Sequence, residues 1–157
     1  MIGKWELRYI ELAKHISSWS KDPSTQVGAV IVGQEGQILS QGYNGFPRGV
    51  KDLPCRFEDK ETKYKFTSHA EINCIYNASY NGVSLKDSSI YIWGTDGIPV
   101  CHECAKAIIQ VGIKHVYCYN PYYLRENFNI HTKWFKSHKT AQLMFQEAQV
   151  EYFEVNS

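Results

Sequence analysis

The chain of 157 residues has almost no net charge: 17 lysines and arginines stand against 16 aspartates and glutamates, a formal +1 at pH 7. Proteins that grip long stretches of RNA or DNA present a basic stripe, so no stable nucleic-acid partner is expected. No run of 18 or more apolar residues occurs, and no membrane-spanning helix is expected. The opening MIGKWELRYIELAKHISSWS lacks an unbroken apolar stretch and carries charges throughout, which is not how a secretory signal reads. Cysteines are few and odd in number: Cys55, Cys74, Cys101, Cys104 and Cys118. Without a secretion signal, that points to a reducing compartment, the cytoplasm (a host's cytoplasm, if the source is viral). Repeats, low-complexity tracts and interdomain linkers are absent as well. With 43% hydrophobic and 21% charged residues, the composition fits one globular domain over residues 1–157.

What is present is strong periodicity. Ile2, Trp5, Leu7, Tyr9, Ile10, Leu12, Ala13, Ile16 and Trp19 recur mostly at three- and four-residue steps and predict an amphipathic helix, broken by KDPST. QVGAVIVGQEGQILSQGYN reads as two short strands around a Gln-Glu-Gly turn. Residues 44–66 read as a long polar loop, a length that in a compact domain is usually functional. TSHAEINCIYNASY predicts a helix capped by Thr67 or Ser68. SSIYIWG, CHECAKAIIQVG and IKHVYCYN give strand, helix and strand, a parallel βαβ unit. A helix over Trp134 to Ala148 and the strand VEYFEV close the chain. The order α-β-β-α-β-α-β-α-β predicts an α/β fold, a three-layer α/β/α sandwich around a central mixed five-stranded sheet.

His69 and Glu71 lie two residues apart at the start of a predicted helix. On a helix side they would point about 200° apart. They converge only if the helix end faces the target, which also brings a partial positive potential to it. Cys101 and Cys104 repeat the arrangement at the start of the next helix, where a thiolate is favoured. One histidine and two cysteines suit Zn²⁺, and three ligands leave the fourth position open, as in a catalytic site. Two thiolates weaken the metal's pull on a proton, so a carboxylate beside the open position becomes useful; Glu71 is the one available. Blander readings remain at this point: a redox C-x-x-C pair, a structural zinc knuckle with a fourth ligand, or Glu71 as a capping carboxylate. Cys74 should turn away down its helix and His102 should face elsewhere.

The pattern H-x-E followed by P-C-x-x-C marks zinc nucleobase deaminases. HAEINCI, CHECAKAIIQVGIKHV, DPSTQVGAVIV and GYNGFPRG together resemble the deoxycytidylate (dCMP) deaminase family within the cytidine-deaminase-like fold, over most of residues 1–120. One departure stands out: the family has Pro directly before the first cysteine, whereas here the order is Pro99-Val100-Cys101.

The resemblance implies hydrolysis of dCMP to dUMP and ammonia, supplying dUMP for thymidylate synthesis. It implies zinc on His69, Cys101 and Cys104, with Glu71 as the proton carrier. It places Asn44 at the substrate's sugar and base, and Lys21 and Tyr122 at the phosphate. It further implies control by dCTP as activator and dTTP as inhibitor, with Mg²⁺ on the triphosphate, at a site formed by Asn44, Gly45, Phe46 and Arg48, and a homo-oligomer, commonly a hexamer. Cys55 lacks a nearby histidine, so no second zinc is expected in the 44–66 loop. Alternatives are a deaminase of another small cytosine nucleotide such as dCTP, a nucleic-acid-editing deaminase, and a non-catalytic zinc domain.

Overall fold

The computed structural model describes residues 2–95, 97, 99–120 and 133–156. In chain order it contains α1 (Lys4–Ser17), β1 (Val27–Val32), β2 (Ile38–Tyr43), α2 (Pro54–Glu58), α3 (Lys60–Phe66), α4 (Ala70–Tyr80), β3 (Ser89–Gly94), α5 (His102–Gln110), β4 (His115–Tyr119), α6 (Lys133–Glu147) and β5 (Glu151–Val155). The strands form one five-stranded sheet in the order β2-β1-β3-β4-β5. β1 runs antiparallel to β2 and β3, whereas β3, β4 and β5 run parallel. Among the described residues no helix is long and apolar enough to cross a membrane.

β1 is apolar or glycine throughout and buried at every position, as a strand flanked by neighbours and covered on both faces must be. Its alternate residues serve opposite layers. Val30 and Val32 pack with Ile10, Ala13 and Ile16 of α1, while Ala29 and Ile31 pack with residues of α4, α5 and α6. The α1 face also carries an aromatic column across the sheet: Tyr9–Tyr91, Tyr91–Tyr117 and Tyr117–Phe153 ring centroids lie 4.9, 4.7 and 4.8 Å apart. Such pairs add about 0.5–1.5 kcal/mol each beyond burial.

Two glycines let the helices sit close. A Cβ on Gly28 would fall 2.1 Å from the Ala13 carbonyl oxygen of α1, and one on Gly42 would fall 2.4 Å from the Cys74 nitrogen of α4. Both obstacles are backbone and cannot rotate away. Gly42→Ala should therefore push α4 off β2 and cost about 3 kcal/mol or more, lowering the thermal midpoint by roughly 6–12 °C. Denaturant titration of the variant checks this; an unchanged midpoint would mean that β2 and α4 tolerate a wider spacing.

Residues 53–66 differ from the loop expected of them. Pro54 occupies the first turn of α2, where its missing N–H is harmless, and Asp59 caps α3 by accepting a hydrogen bond from Thr62 N–H at 2.9 Å. Phe46 stacks on Phe57 at 4.5 Å and packs against Phe66 at 5.4 Å, anchoring both short helices. The cap of α4 differs too. Ser68 is held extended by backbone hydrogen bonds to Gly45 of 2.8 and 3.1 Å, and the Thr67 hydroxyl donates to the Lys63 carbonyl. His69, rather than either hydroxyl residue, becomes the N-cap, with no side-chain cap bond.

Candidate metal centre and catalytic cavity

Two helix N-termini meet at one point. His69 is the N-cap of α4 and Cys101 the N-cap of α5, and Cys104 lies in the first turn of α5. Both caps are extended residues, so their side chains project from the helix ends rather than from the helix sides. The helix ends bring three side chains together: the ligand atoms of His69, Cys101 and Cys104 lie within 4.8 Å of one another. His69 Nδ1 is 3.4 Å from Cys104 Sγ and 3.5 Å from Cys101 Sγ. A tetrahedral ion with metal–sulfur bonds near 2.3 Å and metal–nitrogen bonds near 2.05 Å sets nitrogen and sulfur about 3.6 Å apart. The residues therefore fit a zinc ion, with Nδ1 as the imidazole donor.

The proton inventory agrees. Cys101 is held down to about 4, first by the hydrogen bond from the Cys104 thiol and then, against the cost of burial, by His69. Cys104 is pushed well above its ordinary range by that same hydrogen bond and by burial. His69 rises to about 9, chiefly through its hydrogen bond with Cys101. The pocket thus holds a Cys101 thiolate beside a protonated His69 and a Cys104 thiol, and the last two must lose their protons for a metal to bind. Glu71, in the first turn of α4 and 6% exposed, is raised by burial despite the opposing pull of His69. A carboxyl so placed takes up and gives back a proton more readily than a solvated one.

His69, Cys101 and Glu71 line a cavity of about 990 Å³ whose wall also includes Asn44, Asp22, Lys63 and Trp134. Asn44, 5% exposed, is fixed by its own amide: Oδ1 accepts from Val27 N–H at 2.8 Å and Nδ2 donates to the Thr25 carbonyl at 2.9 Å. One N–H and one lone pair remain for a ligand. Asp22 and Lys63 escaped the sequence reading. Asp22 Oδ1 accepts from Lys63 Nζ at 2.8 Å and from the backbone N–H groups of Ser24 and Thr25 at 2.9 and 3.0 Å. Burial pushes its carboxyl up, but Lys63 and the two N–H groups outweigh that and hold it below the usual range. The side chains are 5% and 11% exposed, so removing one partner strands the other. The DPST run carried the only local signal, a carboxylate two and three residues ahead of free N–H groups.

Other predicted residues are elsewhere. Lys21 is not on the cavity wall; its ammonium pairs with Asp52 at 2.7 Å on an exposed surface. Tyr122 lies outside the described residues. Of the expected effector residues, only Asn44 lines the cavity. Gly45 pairs with Ser68, Phe46 fills the aromatic cluster, and Arg48 contacts Asn77 and lies over the Tyr80 ring at 5.1 Å. Cys74 is wholly buried in the core, as its place on the helix requires.

Comparison with known proteins follows the geometry. The model of the cytidine and deoxycytidylate deaminase zinc-binding region matches residues 3–120. Over 151 residues the chain is 40% identical to an uncharacterized deaminase in the luxG 3′ region of Aliivibrio fischeri, covering 96% of this chain and 93% of that protein. It is 44% identical over 118 residues to mouse deoxycytidylate deaminase, covering 72% of this chain but only 63% of the mouse enzyme. The crystal structure of dCMP deaminase from cyanophage S-TIM5 superposes with a TM-score of 0.70 at 26% identity, covering 99% of this chain and 100% of that one. By the extent of that match and the placement of its zinc-binding motifs, the chain belongs to the cytidine and deoxycytidylate deaminase family.

Proposed function

We propose that this chain hydrolyses dCMP to dUMP and ammonia, supplying dUMP for thymidylate synthesis. The observation that carries the reading is the cluster of His69, Cys101 and Cys104 together with a cavity lined by His69, Cys101 and the buried Glu71. The S-TIM5 enzyme, 25% identical with a TM-score of 0.70, has been solved with dCMP and dUMP. A zinc ion held by the three ligands would supply the Lewis acidity that makes water a nucleophile near neutral pH. The chain's own residues do the rest. Glu71 accepts the proton that water gives up, passes it to N3 of the cytosine, and delivers the next to the departing amine, which leaves as ammonia. Asn44 offers its remaining N–H and lone pair to the sugar.

The finer reading includes allosteric control by dCTP and dTTP with Mg²⁺, a homo-oligomer of hexamer size, and Tyr122 at the phosphate; Lys21, paired with Asp52 away from the cavity wall, is not kept in that role. Its support is the GYNGFPRG motif and the resemblance it carries. A cytoplasmic setting is supported by five cysteines that are all free thiols.

The test is a substrate panel: dCMP, dCTP, deoxycytidine and a cytosine-containing oligonucleotide, each followed by ammonia release. The expected outcome is a kcat/KM for dCMP at least about 100-fold above that for deoxycytidine, as phosphate contacts worth about 3 kcal/mol would give. Turnover of the oligonucleotide without turnover of dCMP would overturn the proposal. In the same assay, dCMP saturation curves unmoved by dCTP or dTTP would remove the regulatory part alone.

A further inference from the structure

Val100, which stands directly before the first cysteine where the family resemblance leads one to expect proline, has a partner. Val100, 2% exposed, offers its carbonyl oxygen to His138 Nδ1 of α6 at 3.1 Å. A carbonyl only accepts, so Nδ1 carries the proton in this contact. On the other side of Cys101, the Ser137 hydroxyl of α6 accepts from His102 N–H at 2.9 Å and donates to His102 Nδ1 at 2.7 Å. Two consecutive residues of one helix thus hold the peptide before Cys101 and the peptide after it.

The Cys101 sulfur already accepts from Cys104 N–H at 3.4 Å. The first N–H of α5, on His102, goes instead to the Ser137 hydroxyl. His138 is 6% exposed, and its Nε2 is buried with no hydrogen-bond partner among the described residues, Glu154 Oε1 lying 3.9 Å away. An imidazole buried with one nitrogen unpaired is poor core filler; its paired nitrogen goes to the loop that carries a metal ligand. Trp134, one turn earlier on α6, lines the catalytic cavity, so this helix borders the site as well as its supporting loop.

We infer that Ser137 and His138 are positioning residues of the metal centre, a two-point clamp that holds the peptides on either side of Cys101 and so sets its sulfur. They touch neither the substrate nor the ligand atoms. The inference rests on reading His69, Cys101 and Cys104 as zinc ligands. Loss of such supporting contacts typically costs 10- to 100-fold in metal affinity.

The experiment uses the full chain loaded with zinc, measuring metal release to a chromogenic chelator, and the cobalt-substituted protein, measuring its visible spectrum. Ser137→Ala and His138→Phe should release zinc about 10- to 100-fold faster than the parent and shift the cobalt bands. Ser137→Thr restores a hydroxyl and His138→Asn restores an N–H at similar reach, so both should recover slow release. Phe145→Ala, a core truncation on the same helix at a residue 1% exposed, should lower the thermal midpoint yet release zinc at the parent rate. Release from Ser137→Ala and His138→Phe within twofold of the parent, or no faster than from Phe145→Ala, would overturn the clamp while leaving the zinc reading intact. A parent protein that takes up no zinc would overturn both. Should His138→Phe fail to fold, Ser137→Ala decides the matter alone.

Discussion

Replacing Glu71 with glutamine will slow dCMP deamination by about 10³- to 10⁴-fold and leave the zinc content unchanged. Glutamine matches glutamate in size, so the buried first turn of α4 keeps its packing. What it loses is the ability to accept a proton. The proposed reaction asks the same side chain to act three times: on the attacking water, on the ring nitrogen and on the leaving amine. General acid–base catalysis by one positioned group is worth about 10²- to 10⁴-fold, and repeated use of one carboxylate places the loss at the upper end. Two other described carboxylates line the cavity: Glu58 is exposed to solvent, and the Oδ1 of Asp22 is committed to Lys63 and to two backbone N–H groups. The check is kcat by ammonia release alongside metal analysis. A variant within tenfold of the parent would show that another group carries the proton.

Cys104→Ala will lose both metal and activity. Cys104 is wholly buried, and its sulfur faces His69 Nδ1 at 3.4 Å. If each of the three ligands carries about a third of the 10–16 kcal/mol typical of zinc bound to protein ligands, its loss costs roughly 3–5 kcal/mol, or roughly 10²- to 10⁴-fold in affinity. Zinc per chain after dialysis against a moderate chelator should fall from one to below about 0.1 on that arithmetic, with turnover falling in proportion. The contrast with Glu71→Gln is informative, because one variant separates chemistry from metal binding and the other removes both. A Cys104→Ala protein that keeps its full zinc would remove Cys104 from the ligand set.

The parts of this molecule that were legible in its sequence are those encoded locally. The strands and long helices announce themselves because an apolar stripe repeats over several turns or over every second residue. The three ligands and Glu71 announce themselves because each pair lies within four residues at a helix start. α2 and α3 did not, since five and seven residues are too short for a period to emerge; Pro54 and Asp59 were the usable signals. Thr67 and Ser68 look like caps by residue type, but pairing of Ser68 with Gly45 overrides local preference. Lys63 and Lys21 are alike in composition, yet one is buried against Asp22 and the other exposed beside Asp52. That difference spans 41 residues of chain and has no local trace. The same holds for Ser137, whose partner His102 is 35 residues away.

The reach from α6 back to the loop of Cys101 also orders events during synthesis. All three metal ligands exist once residue 104 has been made, whereas Ser137 and His138 appear about 33 residues later, roughly 2–7 s at ordinary elongation rates. In that interval the cysteine loop has its ligand atoms but not the hydrogen bonds that fix the peptides on either side of Cys101. On the proposed clamp, acquisition of the metal and locking of its site become separable steps, and the second waits on α6.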